Sequence, residues 1–173
     1  HIENPSNMFV VEYASRPDLA KIFYEDVLMA AFFYGYPLLV ENNKYGIVRY
    51  FESRGYDGYL MDRPEHLKSA NAKVNVKTKG IPSNSQDVIQ AHAHAIEQYV
   101  YDHVGINYDT GDVGKMYLNR TLEDWIGFKI NDRTKFDLTI SSGLALLAAQ
   151  KSKPKEKTDF TERKFFRRYK PIG

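Results

Sequence analysis

The chain has 173 residues, 43% of them apolar and 27% charged, with a formal net charge of +2, which suits one domain with a sizeable core. It contains no cysteine, so disulfides and thiolate zinc sites are excluded and any metal must be held by oxygen or imidazole. There is no apolar run of about 18 residues and no secretory leader, so we expect a soluble, intracellular protein without a membrane span.

The beginning of the chain predicts a strand followed by a helix. Residues 9–13 alternate in polarity and are rich in β-forming side chains, which predicts a strand. Residues 15–18, Ser-Arg-Pro-Asp, are typical of a helix start. Apolar residues then recur at a spacing of three to four, and Gly35 is expected to end this helix.

The next elements continue a strand–helix–strand pattern. Residues 36–41 form an apolar run that ends in Glu41, and we interpret it as a buried strand. A helix is predicted over 45–53 and a short strand over 58–61. This order is typical of an α/β domain.

The second half of the chain is mainly helical by the same criteria. Polar residues dominate 62–79, which we interpret as an irregular connection. Helices are predicted over 83–103, 122–128 and 134–151. The buried side predicted for the first of them consists of Val88, Ile89, Ala91, Ala95, Ile96, Tyr99 and Val100. His92 and His94 lie two residues apart on the first of these helices, so their side chains point about 200° apart and are not expected to share a zinc ion.

Two carboxylates stand where core elements end or begin. Glu41 follows a buried strand, where open α/β sheets keep their chemistry. Asp137 opens the last helix within an apolar run, where a buried acid needs a partner. Since two-metal phosphodiester hydrolysis needs carboxylates gathered around ions about 4 Å apart, the pair predicts a metal site assembled by folding. Each also has a simpler interpretation: an ordinary acid at a strand exit for Glu41, and a charge favoured by the helix dipole for Asp137.

The order of these motifs resembles the C-terminal nuclease domain of the large terminase subunit of tailed bacteriophages, and the crAss-like group in particular. The resemblance covers about residues 11–149. It is carried by Val11-Glu12-Tyr13 with Arg16-Pro17-Asp18 and Phe23-Tyr24-Glu25, by Val40-Glu41-Asn42-Asn43-Lys44 with Gly46, by Thr78-Lys79-Gly80-Ile81, and by Phe136-Asp137-Leu138.

This resemblance implies an α/β, RNase H-like fold with a central mixed sheet flanked by helices. It implies an endonuclease that cuts concatemeric double-stranded DNA during genome packaging, using two Mg²⁺ or Mn²⁺ ions in the complete site. Glu41 and Asp137 are then catalytic metal ligands, with Asp132 as the alternative to Asp137. Hard ions of this kind prefer oxygen ligands.

The chain differs from that family at the first metal-binding Asp, which in the family lies on a strand before the one that resembles residues 9–13. The chain begins after this position, and neither Glu3 nor Glu12 replaces it. We therefore expect the first strand to be missing and little or no cleavage by this chain alone. The phosphate-binding motif of the terminase ATPase is also missing from the sequence. The alternative function is a catalytically silent module that binds DNA or the phage portal.

Basic residues suggest contact with nucleic acid. Nine Lys/Arg and three Asp/Glu lie in 151–173, so this tail carries +6 and the first 150 residues carry −4. We divide the chain into a nuclease core, 1–150, and a basic tail, 151–173, although a solvated tail is an equally simple interpretation. Phosphate contacts are expected from Lys44, Lys77, Lys79, Arg167 and Arg168.

The partners that the resemblance implies are double-stranded DNA and, in the full-length protein, the phage portal and the small terminase subunit. The expected location is the cytoplasm of the host cell, with no membrane partner.

Overall fold

The computed structural model describes residues 8–43, 45–64, 78–82, 86–104, 116–129, 132 and 135–151. These residues are 62% helical. They form helices α1 (Ala20–Tyr34), α2 (Gly46–Ser53), α3 (Gln86–His103), α4 (Asn119–Gly127) and α5 (Asp137–Lys151), and a 3₁₀ turn at Asp57–Tyr59. No helix in these ranges is long and apolar enough to cross a membrane.

The sheet predicted from the sequence is not found in the described part of the chain, which contains no strand. The α/β, RNase H-like fold class is therefore wrong, and so are the strands predicted at 9–13, 36–41 and 58–61. Only isolated β-bridges occur among the described residues, joining Leu38 to Leu60, Glu41 to Ile81, and Asp62 to Lys79. A strand needs a partner along its length, and here each pairing ends after one bridge.

The three bridged segments, 38–42, 59–63 and 78–81, form what we call the junction. Leu38 donates its N–H to the Tyr59 carbonyl (2.7 Å) and accepts from the Met61 N–H (2.8 Å). Val40 lies two residues later on the same edge of this segment, and its carbonyl accepts from the Ile81 N–H (2.9 Å). The first segment therefore changes partner after a single bridge, which explains why no ladder forms.

Gly80 reverses the third segment within the junction. Lys79 pairs with Asp62 in antiparallel fashion, whereas Ile81 pairs with Glu41 in parallel fashion. Because segments 38–42 and 59–63 run parallel to each other, the chain must turn between Lys79 and Ile81. Gly80 makes this turn with a φ of +73°, in the left-handed region that favours glycine.

Segment 38–42 lies between two apolar clusters. Successive side chains of an extended segment point to opposite sides, and Leu39 and Val40 accordingly enter different clusters. The α3–α5 cluster contains Leu39, Ile81, Val88, Ala95, Leu144 and Leu147. The α1–α2 cluster contains Leu28, Val40, Val48, Phe51 and Leu60.

Helix α1 starts later than predicted but ends as predicted. Gly35 has a φ of +68° and donates its N–H to the Ala31 carbonyl, closing the helix. The predicted start at 15–18 is wrong, because the helix begins at Ala20. Residues 8–18, which we call the strap, lie outside any helix or strand and make tertiary contacts instead. One of these is Phe9, whose ring lies 5.1 Å from the ring of Tyr99 on α3.

Helix α3 packs against α5 through the apolar side predicted for it. Val88, Ile89, Ala95 and Tyr99 are buried, and His92 is buried with them. Opposite His92, a Cβ on Gly143 of α5 would lie 3.1 Å from the His92 Cβ, so the glycine permits the close approach of the two helices.

Candidate metal-binding carboxylates and their surroundings

Glu41 is exposed at the end of a buried segment. Its neighbour Asn42 is buried and donates from Nδ2 to the Lys79 carbonyl at 2.9 Å, which fixes the backbone in the junction. Asn43 donates from Nδ2 to Glu41 Oε1 at 2.6 Å. The Glu41 carboxylate is thus attached to a rigid part of the core while it remains accessible to solvent.

Asp137 is the first residue of α5, and its side chain is 71% exposed. The expectation that this acid is buried within an apolar run is wrong. The helix turns about 100° per residue, so the inward position falls to Thr139, which is 2% exposed. Asp137 Oδ2 accepts a hydrogen bond from Arg16 Nη2 of the strap at 2.8 Å.

Asn43 lies beside Glu41, and Arg16 lies beside Asp137. No group of three or more His, Asp or Glu side chains that could hold a metal ion occurs within the residue ranges the structure describes. Asp132, the alternative ligand, lies 3.6 Å from Lys135 Nζ. Glu41 and Asp137 are exposed carboxylates, and carboxylate oxygen is the class of ligand that hard cations take.

Lys79 is engaged within the junction. Its ammonium donates to the Leu60 carbonyl at 2.9 Å and lies 3.1 Å from Asp62 Oδ1. The side chain is 28% exposed, and it ties the third segment to the second. The other predicted phosphate contacts, Lys44, Lys77, Arg167 and Arg168, lie outside the described residues, as does nearly all of the basic tail.

Two helices are capped by carboxylates from distant segments. Glu12 Oε2 of the strap accepts from Thr121 N (3.0 Å) and Thr121 Oγ1 (2.8 Å), on the first turn of α4. In the same way, Asp124 Oδ2 of α4 accepts from Thr139 N (2.6 Å) and Thr139 Oγ1 (2.9 Å), on the first turn of α5. Each carboxylate pairs an N–H that has no partner within the helix and lies at the favourable end of the helix dipole.

Sequence reasoning missed both caps because it searches next to the helix. Leu118, directly before α4, makes no side-chain capping bond. The carboxylate that replaces such a bond comes from Glu12, 109 residues away. The one local signal is a threonine at the third position of α4 and of α5. The Arg16–Asp137 pair spans 121 residues and was missed for the same reason.

The adjacent carboxylates of α1, Glu25 and Asp26, each accept a hydrogen bond from a tyrosine. Tyr50 donates to Glu25, and Tyr13 of the strap donates to Asp26 at 2.5 Å. These hydrogen bonds raise the pKa of Tyr50 and of Tyr13, because a neighbouring carboxylate stabilises the protonated phenol.

A mostly apolar cavity of about 200 Å³ lies between α3, α4 and α5. Its lining includes His92, Trp125 and Ile140, but neither Glu41 nor Asp137. The cavity is thus separate from the candidate ligands.

The outer side of α1 is apolar as well as its buried side. Leu28 and Ala31 face the core. The exposed large side chains on or beside this helix are Leu19, Ile22, Met29, Phe32, Phe33, Tyr34 and Tyr36, of which Phe33 is 81% exposed. Several exposed apolar side chains on one helix make it a candidate interaction surface.

Comparison of the chain with protein-family models, with curated proteins and with solved structures finds no match in any of the three.

Proposed function

We propose that this chain is part of the DNA-cutting module of a phage packaging terminase, with Glu41 and Asp137 as ligands of Mg²⁺ or Mn²⁺. The observation that carries the proposal is the position of Glu41. Glu41 is exposed near the end of segment 38–42, whose Leu39 and Val40 pack into the core on opposite sides. The proposal rests on this placement and on the order of the motifs, and does not require an RNase H-like sheet.

The side of the segment on which Glu41 lies also supports the proposal. Side chains alternate along an extended segment, so Glu41 shares a side with Leu39, which packs in the α3–α5 cluster. Leu144 and Leu147 of that cluster follow Asp137 on α5 by seven and ten residues. At 1.5 Å per residue this is about 10 and 15 Å along the helix axis. Segment 38–42 and helix α5, which carry the two carboxylates, therefore contribute to the same apolar cluster.

The donor chemistry fits the ion. Carboxylate oxygens are the ligands of Mg²⁺ and Mn²⁺, and no sulfur ligand is available in this cysteine-free chain. When bound, such ions stabilise the charge that develops on the phosphate and activate water. Glu41 and Asp137 would supply two of the ligands.

A thermal-shift titration with Mn²⁺ tests the ligand assignment. An ion that binds only the folded chain stabilises it, by about 1.4 kcal/mol at ten times its Kd. We expect a rise in Tm that is strongly reduced in Glu41→Gln and in Asp137→Asn. Glu123→Gln, which changes an exposed acid of α4, serves as the matched control and should respond like wild type. An equal response in all four proteins would rule out both ligands.

Plasmid cleavage with Mn²⁺ tests the activity. Any Mn²⁺-dependent cleavage should be lost on Glu41→Ala or Asp137→Ala, while DNA binding is retained. Cleavage that is equally fast without Glu41 would contradict the proposal.

The second candidate is a module without catalysis that binds the phage portal or DNA. The exposed apolar side of α1 favours a protein partner such as the portal. A module that holds DNA through its basic tail should bind mainly by phosphate contacts, so affinity should fall steeply with salt. Removing 151–173 should flatten this salt dependence. An unchanged slope after removal would mean that the tail does not contact DNA.

A further inference from the structure

The cavity between α3, α4 and α5 has the size and lining of a small-molecule site. Its volume is about 200 Å³. Helix α3 contributes lining residues at a spacing of three to four from Ile89 to Glu97, α4 contributes Trp125, and α5 contributes Ile140. Since an apolar cavity of about 150 Å³ takes up benzene, this cavity has room for one aromatic ring with a short substituent.

Two polar groups of the lining already have partners within the protein. Trp125 Nε1 donates to Ser142 Oγ at 2.8 Å. Thr139 donates from both N and Oγ1 to Asp124 Oδ2. These donors hold the three helices together, so they are not available to a bound molecule.

Glu97 is the charged member of the lining. It lines the cavity and is exposed, so it lies where the cavity opens to solvent. Among the residues that the structure describes, no hydrogen bond or ion pair uses its carboxylate. Helix α3 also contains the acids Asp87 and Asp102 but no Lys or Arg. This side of the molecule is therefore expected to attract cations.

We infer that this cavity binds a small ammonium ion that carries one apolar group, such as an arylmethylammonium ion. The ring lies among the apolar side chains, and the ammonium group pairs with Glu97 at the opening. An apolar cavity with one charged group at a fixed place is typical of small-molecule sites. The inference involves neither Glu41 nor Asp137, so it is independent of the proposed function.

A fluorescence titration of Trp125, the only tryptophan of the chain, tests this inference. The ligands are benzylammonium, benzyl alcohol and benzoate, which share one ring and differ in the charge of the substituent. At pH 7 and low salt we expect benzylammonium to bind with a Kd of about 1 mM, as befits so small a ligand. The other two ligands should bind at least about two- to five-fold more weakly, because they lack the pairing with Glu97.

Three variants assign the binding to the cavity and to its charge. Glu97→Gln should weaken benzylammonium about two- to five-fold and leave benzyl alcohol unchanged. Glu123→Gln, an exposed acid outside the lining, is the matched control and should bind like wild type. Ala93→Leu places a larger side chain in the lining and should weaken all binding about ten-fold or more. If a melting curve shows that Ala93→Leu does not fold, the comparison of Glu97 with Glu123 decides.

Four results would overturn the inference. The absence of saturable binding by any ligand would show that the cavity is not a site. Equal affinity for benzylammonium and benzyl alcohol would remove the role of Glu97. Tighter binding of benzoate would assign the opening to a base such as Lys129, which is exposed and follows Phe128 of the lining. An equal loss in Glu97→Gln and Glu123→Gln would assign the effect to net charge.

Discussion

Gly80 combines a positive φ with a close approach to Val40. A Cβ at this position would lie 3.0 Å from Val40 Cγ2 and closer still to the Val40 carbonyl oxygen. We expect Gly80→Ala to lower the free energy of unfolding by about 2–4 kcal/mol, from backbone strain together with overpacking. Gly55 has a similar φ of +74° with nothing within 4 Å, so Gly55→Ala should lose only about 1–2 kcal/mol. Urea denaturation measures both, and equal losses would contradict the role of the contact with Val40.

Tyr50 is expected to titrate later than an ordinary tyrosine, because its hydrogen bond to Glu25 raises its pKa above 10.0. The stabilisation from this bond is fully present below pH 10 and is lost as the pH rises through the raised pKa. Glu25→Gln should therefore bring the titration of Tyr50 to lower pH. The difference in absorbance at about 295 nm between each protein and its Tyr50→Phe counterpart isolates this residue. Identical titration curves for wild type and for the Glu25→Gln variant would contradict the assignment.

Among the elements, α5 depends on α4 for its cap. Asp124→Ala should cost about 1–2 kcal/mol, since it leaves the Thr139 N–H and Oγ1–H without their acceptor. Thr139→Val should cost a similar amount, and the double variant should lose less than the sum of the two. Glu123→Ala changes an adjacent exposed acid of the same helix and should stay within about 0.5 kcal/mol of wild type. An equal loss in Glu123→Ala, or strict additivity in the double variant, would show that the cap does not stabilise α5.

At the scale of the whole molecule, Phe51 and Phe33 show the difference between a core position and a position on the apolar outer side of α1. Phe51 is 0% exposed in the α1–α2 cluster, whereas Phe33 is 81% exposed. The same truncation should therefore cost about 3–5 kcal/mol in Phe51→Ala and leave Phe33→Ala within about 0.5 kcal/mol of wild type. Denaturant unfolding measures both. A large loss in Phe33→Ala would mean that the outer side of α1 is covered in the folded protein.

Helix α3 shows which features could be predicted from the sequence. Its end at His103 and most of its buried side were predicted correctly, because a helix repeats its contacts every three to four residues and leaves that period in the chain. The apolar run at 36–41 was interpreted as core, and this holds for Leu38, Leu39 and Val40, which pack in the two clusters, whereas Tyr36 is 72% exposed. Its interpretation as a strand of a sheet was wrong, since burial alone does not supply a partner along an edge.

The sequence by itself determined that the helices form and that Gly35 ends α1, because these follow from residue types and from spacing within a few turns. Glu41 and Asp137 as metal ligands stay a prediction. Only the tertiary structure decided that segments 38–42, 59–63 and 78–81 meet in a junction instead of a sheet, that Asp137 faces solvent beside Arg16, and that Glu12 and Asp124 cap α4 and α5. The physical reason is distance along the chain. Hydrogen bonds between residues 109 or 121 positions apart leave no periodic trace in the sequence and form only after the helices have packed.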